Sequence, residues 1–209
     1  MQRRRVRILA VCTHNRTRSV MFAALLETLL GDQLGRDAVA VKSSGFGPVG
    51  LPPIPDAVDA MRRRGLDVSA HRSSVTTSTL VDGADLILTA ERDHVVKIAG
   101  LSSAAFRRTF TLPEFVVGAA TGIDQDHAEG LTGPVESRGR TSVRAVPDRV
   151  ADWAEQLSSQ RRAAEYLRDP VPEVADPTGS SPPLFEVAVE EIERQCREAA
   201  EHLVRLARD

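Results

Sequence analysis

The stretch RILAVCTHNRTRSVMFAALLETLL, Arg7 to Leu30, decides how the rest of the chain is read. It opens as an apolar run, breaks into CTHNRTRS at Cys12 to Ser19, and resumes as an amphipathic pattern. Only Arg7 interrupts the run from Val6 to Val11, and a continuous apolar run of this length suits a strand covered on both faces, as in a parallel sheet. From Ser19 onward Met21, Phe22, Leu25, Leu26, Leu29 and Leu30 fall on one helical face, with Gly31 placed to stop it. The first unit is therefore strand, loop, helix.

Working outward, AVAVKSSG repeats the strand signal and PDAVDAMRRRG has a proline-led helix start with a glycine stop. ADLILTA is a further buried strand, followed by the helical ERDHVVKIAGL, and FRRTFTL supplies a fourth strand. Alternating strands and helices imply βαβ units. The expected fold is α/β, a three-layer structure with about four parallel strands, helices on both faces and a phosphate-binding loop after the first strand. From Thr121 the chain turns Gly-, Asp- and Thr-rich without apolar periodicity, which predicts a long surface loop. PDRVADWAEQLSSQRRAAEYL then reads as a helix with Val150, Trp153, Leu157 and Ala164 on one side. After RDPVPEVADPTGSSPP, the residues Phe185, Ala188, Val189, Ile192, Cys196, Ala199, Leu203 and Leu206 mark a long terminal amphipathic helix that closes the domain. The reading is one domain over 1–209 with an insertion at about 121–172.

Totals narrow the function classes. The 209 residues carry 27 basic and 29 acidic side chains, a formal net charge of -2, so nothing draws the whole molecule to nucleic acid or an anionic membrane. With six Phe, one Trp and one Tyr, a base-stacking surface is not expected either. The two cysteines, Cys12 and Cys196, lie far apart and outside any metal-ligand spacing, which predicts no disulfide framework, no structural metal and no cofactor. The absence of a long apolar run or a leader-like start predicts a cytoplasmic protein.

The loop itself carries chemistry. Cys12 and Arg18 bracket a turn from the C-terminal end of a strand into a helix N-terminus, the place where ligands collect in open parallel sheets. Backbone N–H groups of such a loop converge on an anion, and the helix dipole adds to the attraction. Arg18 supplies a planar fork for two oxygens of a tetrahedral oxyanion. The same field favours the thiolate of Cys12, the form that attacks phosphorus. A bland alternative makes Cys12 a buried hydrophobe and the arginines solvated; the placement of the two residues argues against it.

With these residues in view, the sequence resembles the low-molecular-weight protein tyrosine phosphatases and the arsenate reductases that share their fold. The resemblance rests on the C-x5-R-S loop at Cys12 to Ser19, SSG at Ser43 to Gly45, GLDVSAHRS at Gly65 to Ser73, ADLILTAERDHV at Ala84 to Val95 and VADP at Val174 to Pro177, in that order. It implies that Cys12 is the nucleophile, that Arg18 binds the transferring phosphoryl group, and that Ser19 assists departure of the thiolate. The remaining loop residues Thr13, His14, Asn15, Arg16 and Thr17 complete the cradle. The resemblance further implies that Asn15 holds the strained loop backbone, within a hydrogen-bond network that includes Ser43 and His71. The acid that protonates the leaving oxygen is implied at Asp176, in the Asp-Pro pair just before the last helix, in preference to Asp169-Pro170. An Asp-Pro pair can also simply start a turn.

Two departures from the family's pattern bear on substrate. His14 stands where a glycine is common, and Thr17 where a second cysteine protects the nucleophile, which leaves oxidised Cys12 either to rescue by a small thiol or to overoxidation. The aromatic walls of the family are replaced by FGPVG and TGSS, which leaves Phe46 as the one candidate wall, core packing being the other reading of that residue. The expected function is phosphomonoester hydrolysis, most simply of phosphotyrosine in a protein, through a phosphocysteine. The alternatives are an arsenate reductase using an external low-molecular-weight thiol and a non-catalytic phosphate-binding module. The insertion is the candidate surface for a partner.

Overall fold

A computed structural model describes residues 4–128, 145–159, 161, 166, 168 and 170–208. Its centre is a four-stranded parallel sheet of β1 (Val6–Cys12), β2 (Val39–Gly45), β3 (Leu86–Thr89) and β4 (Thr109–Thr111), in the order β2-β1-β3-β4. The apolar run of β1 after Arg7 has a direct explanation. Ile8, Ala10 and Cys12 face one layer of helices while Leu9 and Val11 face the other, and all five are buried. Strand alternation thus puts apolar side chains on both faces because both faces are covered.

The larger layer contains α1 (Arg18–Leu34), α2 (Pro55–Arg63), α5 (Leu112–Ala128), α6 (Val146–Ser159) and the 27-residue α7 (Pro182–Arg208). The smaller contains α3 (Ser78–Asp82), α4 (Arg92–Leu101) and the 3-10 turn Ser103–Arg108. Helix α7 lies along α1 and buries Phe185, Val189, Ile192, Cys196, Ala199 and Leu203, the stripe that its spacing predicts.

Two boundaries differ from expectation. Helix α1 runs past Gly31 to Leu34 and stops at Gly35, whose φ of 90° takes the chain out of the helix while its N–H still reaches the Gly31 carbonyl at 2.9 Å. A glycine with helical backbone angles is tolerated in the last turns of a helix anchored by buried Leu26 and Leu30, and the positive-φ residue is the one that terminates it. The surface loop expected from Thr121 is also corrected, because residues through Ala128 extend α5. Its start, LPEFVVGAA, sets a proline in the first turn and buries Leu112, Phe115 and Ala119 in the core, and the polar residues after it extend a helix already nucleated. The rest of that expected loop, Ala164 and Asp169 lie outside the described residues.

The segment leading to α7 is anchored at several points. Thr111 Oγ1 donates to the Pro172 carbonyl at 2.6 Å, the Arg92 N–H donates to Glu173 at 2.9 Å, and the Val174 N–H donates to the Ala90 carbonyl at 2.8 Å. Asp176 is thereby held beside the C-terminal ends of β1 and β3.

Candidate active site

The turn from β1 into α1 folds over a single left-handed residue, Asn15, at φ 53°. Asparagine is among the few side chains that enter this region readily. Three contacts then fix it: the Ser74 N–H donates to Asn15 Oδ1 at 2.8 Å, Asn15 Nδ2 donates to Ser19 Oγ at 3.0 Å, and His71 Nε2 lies 2.9 Å from the Asn15 carbonyl. Because Ser74 is a main-chain donor, the amide orientation of Asn15 is set, and its nitrogen must face Ser19.

Ser19 in turn sits 3.0 Å from Cys12 Sγ. A thiolate sulfur can only accept, so against it the Ser19 proton points to sulfur while the Ser19 oxygen accepts from Asn15. A thiolate at Cys12 is therefore met by a hydroxyl donor that the structure has oriented in advance. The loop closes tightly against β2. A side chain at Gly45 would come within 2.8 Å of the Thr13 carbonyl and the Asn15 nitrogen and 2.9 Å of the Cys12 carbonyl, so a hydrogen is all that fits there. The Phe46 N–H donates to the Thr13 carbonyl at 2.8 Å, continuing the contact.

Arg18 is 2 % exposed although it carries a charge. Such burial requires partners. Nη1 lies 2.6 Å from Glu91 Oε1 and donates to the Val174 carbonyl at 3.0 Å, while Nη2 donates to Asp176 Oδ2 at 2.8 Å. Asp176 also accepts from the Thr178 N–H at 3.0 Å through its other oxygen, the turn an Asp-Pro pair favours. Half-exposed, its carboxyl faces solvent and the loop at once.

Of the residues singled out in the sequence, the loop from Cys12 to Ser19, His71, Phe46 and Asp176 converge here. Ser43 takes part differently from the expectation. Its main-chain carbonyl accepts from Ser74 Oγ at 3.0 Å, and it is the Ser74 N–H that donates to Asn15 Oδ1. Near the C-terminal end of β2 the Ser43 carbonyl takes a bond from Ser74, so a residue 31 positions later supplies the contact. Phe46 is stacked on His94 at 5.8 Å between centroids and 14° between planes. His14 is exposed over Gly47, and Arg16 Nε donates to the Pro52 carbonyl at 2.7 Å. Thr17 pairs with Thr178 at 3.3 Å.

Sequence reasoning missed Glu91, His94, Ser74 and the steric demand at Gly45. Glu91 and His94 have a local signal, an E-x-x-H spacing at a helix start. It forms a capping box in which the Glu91 N–H donates to His94 Nδ1 at 3.2 Å. His94 is almost wholly buried, and that burial, helped by Arg18 and Lys97, pushes its pKa down to about 4, so its ring is neutral at ordinary pH.

A parallel sheet whose first loop wraps an anion-sized turn, with a cysteine, an arginine and an opposed carboxylic acid, defines a cysteine-dependent phosphatase. The chain belongs to the low molecular weight phosphotyrosine protein phosphatase family, whose model matches residues 7–165, a span that holds the whole loop and ends short of Asp176. It is 36% identical over 149 residues to a protein-arginine-phosphatase of Geobacillus stearothermophilus, covering 70% of this chain and 94% of that protein. It is 38% identical over 108 residues to a probable low molecular weight protein-tyrosine-phosphatase, EpsP, of Ralstonia nicotianae, covering 51% of this chain and 70% of that one. The solved YwlE arginine phosphatase of Geobacillus stearothermophilus superposes with a TM-score of 0.61 at 27% identity, over 94% of this chain and 91% of that structure.

Proposed function

We propose that the protein hydrolyses phosphorylated side chains of a protein substrate through a phosphocysteine formed on Cys12. The observation that carries this reading is the ordered chain from Ser74 through Asn15 and Ser19 to Cys12 Sγ, facing the Arg18–Asp176 pair. The phosphoryl group takes Arg18 from Asp176, which frees the carboxyl to carry a proton. Cys12 thiolate then attacks phosphorus and forms the S–P bond. The bond to the leaving atom breaks with its electron pair, and Asp176 supplies the proton. In the second step Asp176 takes a proton from water, the water oxygen attacks phosphorus, and the thiolate departs toward the Ser19 hydroxyl. Charge on the equatorial oxygens is met by Arg18 and the loop N–H groups.

Phosphotyrosine is the first substrate class this reading names. Phosphoarginine is the second, and a specific feature favours testing it alongside. Phe46 stacks on His94 and has Lys97 Nζ 5.3 Å from its ring centroid, Trp153 packs on Phe115 and Tyr166 on Phe106, so all three rings are already engaged within the protein. Such a slot does not select a flat ring, and the similarity to protein-arginine-phosphatases points the same way. Arsenate reduction through a second thiol of this chain would need Cys196, which is fully buried among helices, so that alternative rests on an external low-molecular-weight thiol and is tested by thiol-dependent arsenite formation. The cytoplasm is the proposed compartment; no helix among the described residues is long and apolar enough to cross a membrane.

The test is hydrolysis of an aryl phosphate, then of matched phosphotyrosine and phosphoarginine peptides, by wild type and Cys12→Ser in fresh reductant. The expected result is turnover by wild type and a loss of at least about a thousandfold in the variant. Unchanged turnover in Cys12→Ser would refute the covalent route, and the ratio of kcat/KM for the two peptides assigns the substrate class.

A further inference from the structure

The residue after the cysteine, Thr13, is organised by a second chain of donors that ends on the same cradle. His94 Nδ1 accepts the Glu91 N–H, so the ring's one proton is on Nε2. Nε2 is 3.2 Å from Thr13 Oγ1, which makes His94 the donor and the threonine oxygen the acceptor. Arg18 Nη2 approaches the same oxygen at 3.5 Å, also as a donor. With donors on both sides, the hydroxyl proton of Thr13 has to leave in the remaining direction. His94 is locked in this role by burial, by the capping box and by Phe46 stacked on its ring.

We propose that the Thr13 hydroxyl donates a hydrogen bond to a phosphoryl oxygen bound at Arg18, and that His94 is the positioning residue that aims it. The inference rests on the phosphatase reading for the identity of the ligand. It goes beyond the loop's main-chain donors by adding a side-chain donor and a residue on another helix, 81 positions away. The arrangement parallels that at Cys12, where Ser19 accepts from Asn15 and keeps its own proton for a thiolate sulfur. Neutrality of the ring matters, since a proton on Nδ1 would face the Glu91 N–H. Of the charged groups around the ring, Arg18 and Lys97 oppose that proton while Glu91 and Asp93 favour it, and burial outweighs both.

Direct calorimetric titration with inorganic phosphate tests this without requiring turnover. Thr13→Val, close in shape but unable to donate, is expected to weaken phosphate about tenfold. Thr13→Ser is expected to stay within about twofold of wild type. His94→Phe retains the stack with Phe46 but not the donor, and is expected to weaken phosphate about threefold. The double variant should bind no more weakly than Thr13→Val alone, because His94 acts only through that hydroxyl. Phosphate binding by folded Thr13→Val equal to wild type would overturn the proposal, as would losses that add in full in the double variant. Aryl phosphate turnover by wild type and Cys12→Ser, run in parallel, judges the phosphatase reading separately. A normal Cys12 result with unchanged phosphate binding in Thr13→Val sinks the inference alone. Absent turnover with the expected binding pattern sinks the phosphatase reading and leaves a phosphate site organised as described.

Discussion

Two cysteines, buried to nearly the same extent, occupy regions built on opposite principles. Cys12 is 3% exposed at the end of β1, and Cys196 is 0% exposed in the middle of α7. Around Cys12 the chain has assembled a hydroxyl, an asparagine, a guanidinium and the N-terminus of α1. Cys196 belongs to the apolar stripe along which α7 packs on α1, and burial there pushes its thiol well above the ordinary range. Depth alone therefore decides nothing about a thiol. Polar groups that stabilise negative charge decide it, and such groups must themselves be positioned by others.

The largest effect should come from reaction with iodoacetate under native conditions. Cys12 is expected to be carboxymethylated at least about a thousandfold faster than Cys196, with inorganic phosphate protecting it. Equal labelling, read by peptide mass spectrometry, would break the contrast between the two regions. Next in size, Asp176→Asn removes the acid and should lower kcat on a substrate with a poor leaving group about a hundredfold. On an aryl phosphate with a good leaving group the loss should be much smaller, which sharpens the claim that the groups around Cys12 act on charge. Gly45→Ala should cost about 1–3 kcal/mol of stability because the added carbon meets main-chain atoms of the loop, and phosphate affinity should fall with it. Thermal unfolding and phosphate titration read the two consequences. The smallest effect on activity belongs to Cys196→Ser. It should cost about 1–3 kcal/mol through a buried hydroxyl while kcat on the remaining folded protein stays as in wild type. A drop in kcat there would mean that Cys196 serves the site after all.

Much of this molecule is legible in one dimension because its signals are local. The buried run of β1 and the heptad-like stripe of α7 are patterns that a strand or helix must show if its faces are covered, and the proline at the start of α2 is a local start signal. The loop is legible for a related reason: cysteine and arginine six positions apart have one short turn in which to meet. Helix limits were less so. Gly31 and Gly35 look alike in the sequence, and only the backbone conformation shows which one terminates α1. The polar stretch from Thr121 lacks periodicity and is nevertheless helical as far as Ala128, since α5 was already under way.

What the sequence by itself determined is the alternating sheet, the position of the phosphate loop after its first strand, and Cys12, Arg18 and Asp176 as the groups to examine. Tertiary structure alone decided which side chains hold them. Ser74 reaches Asn15 across 59 positions, Asp176 reaches Arg18 across 158, and His94 reaches Thr13 across 81. No local pattern marks such contacts, because a hydrogen bond depends on distance and direction in space, and these are set when the parallel strands bring their C-terminal ends together.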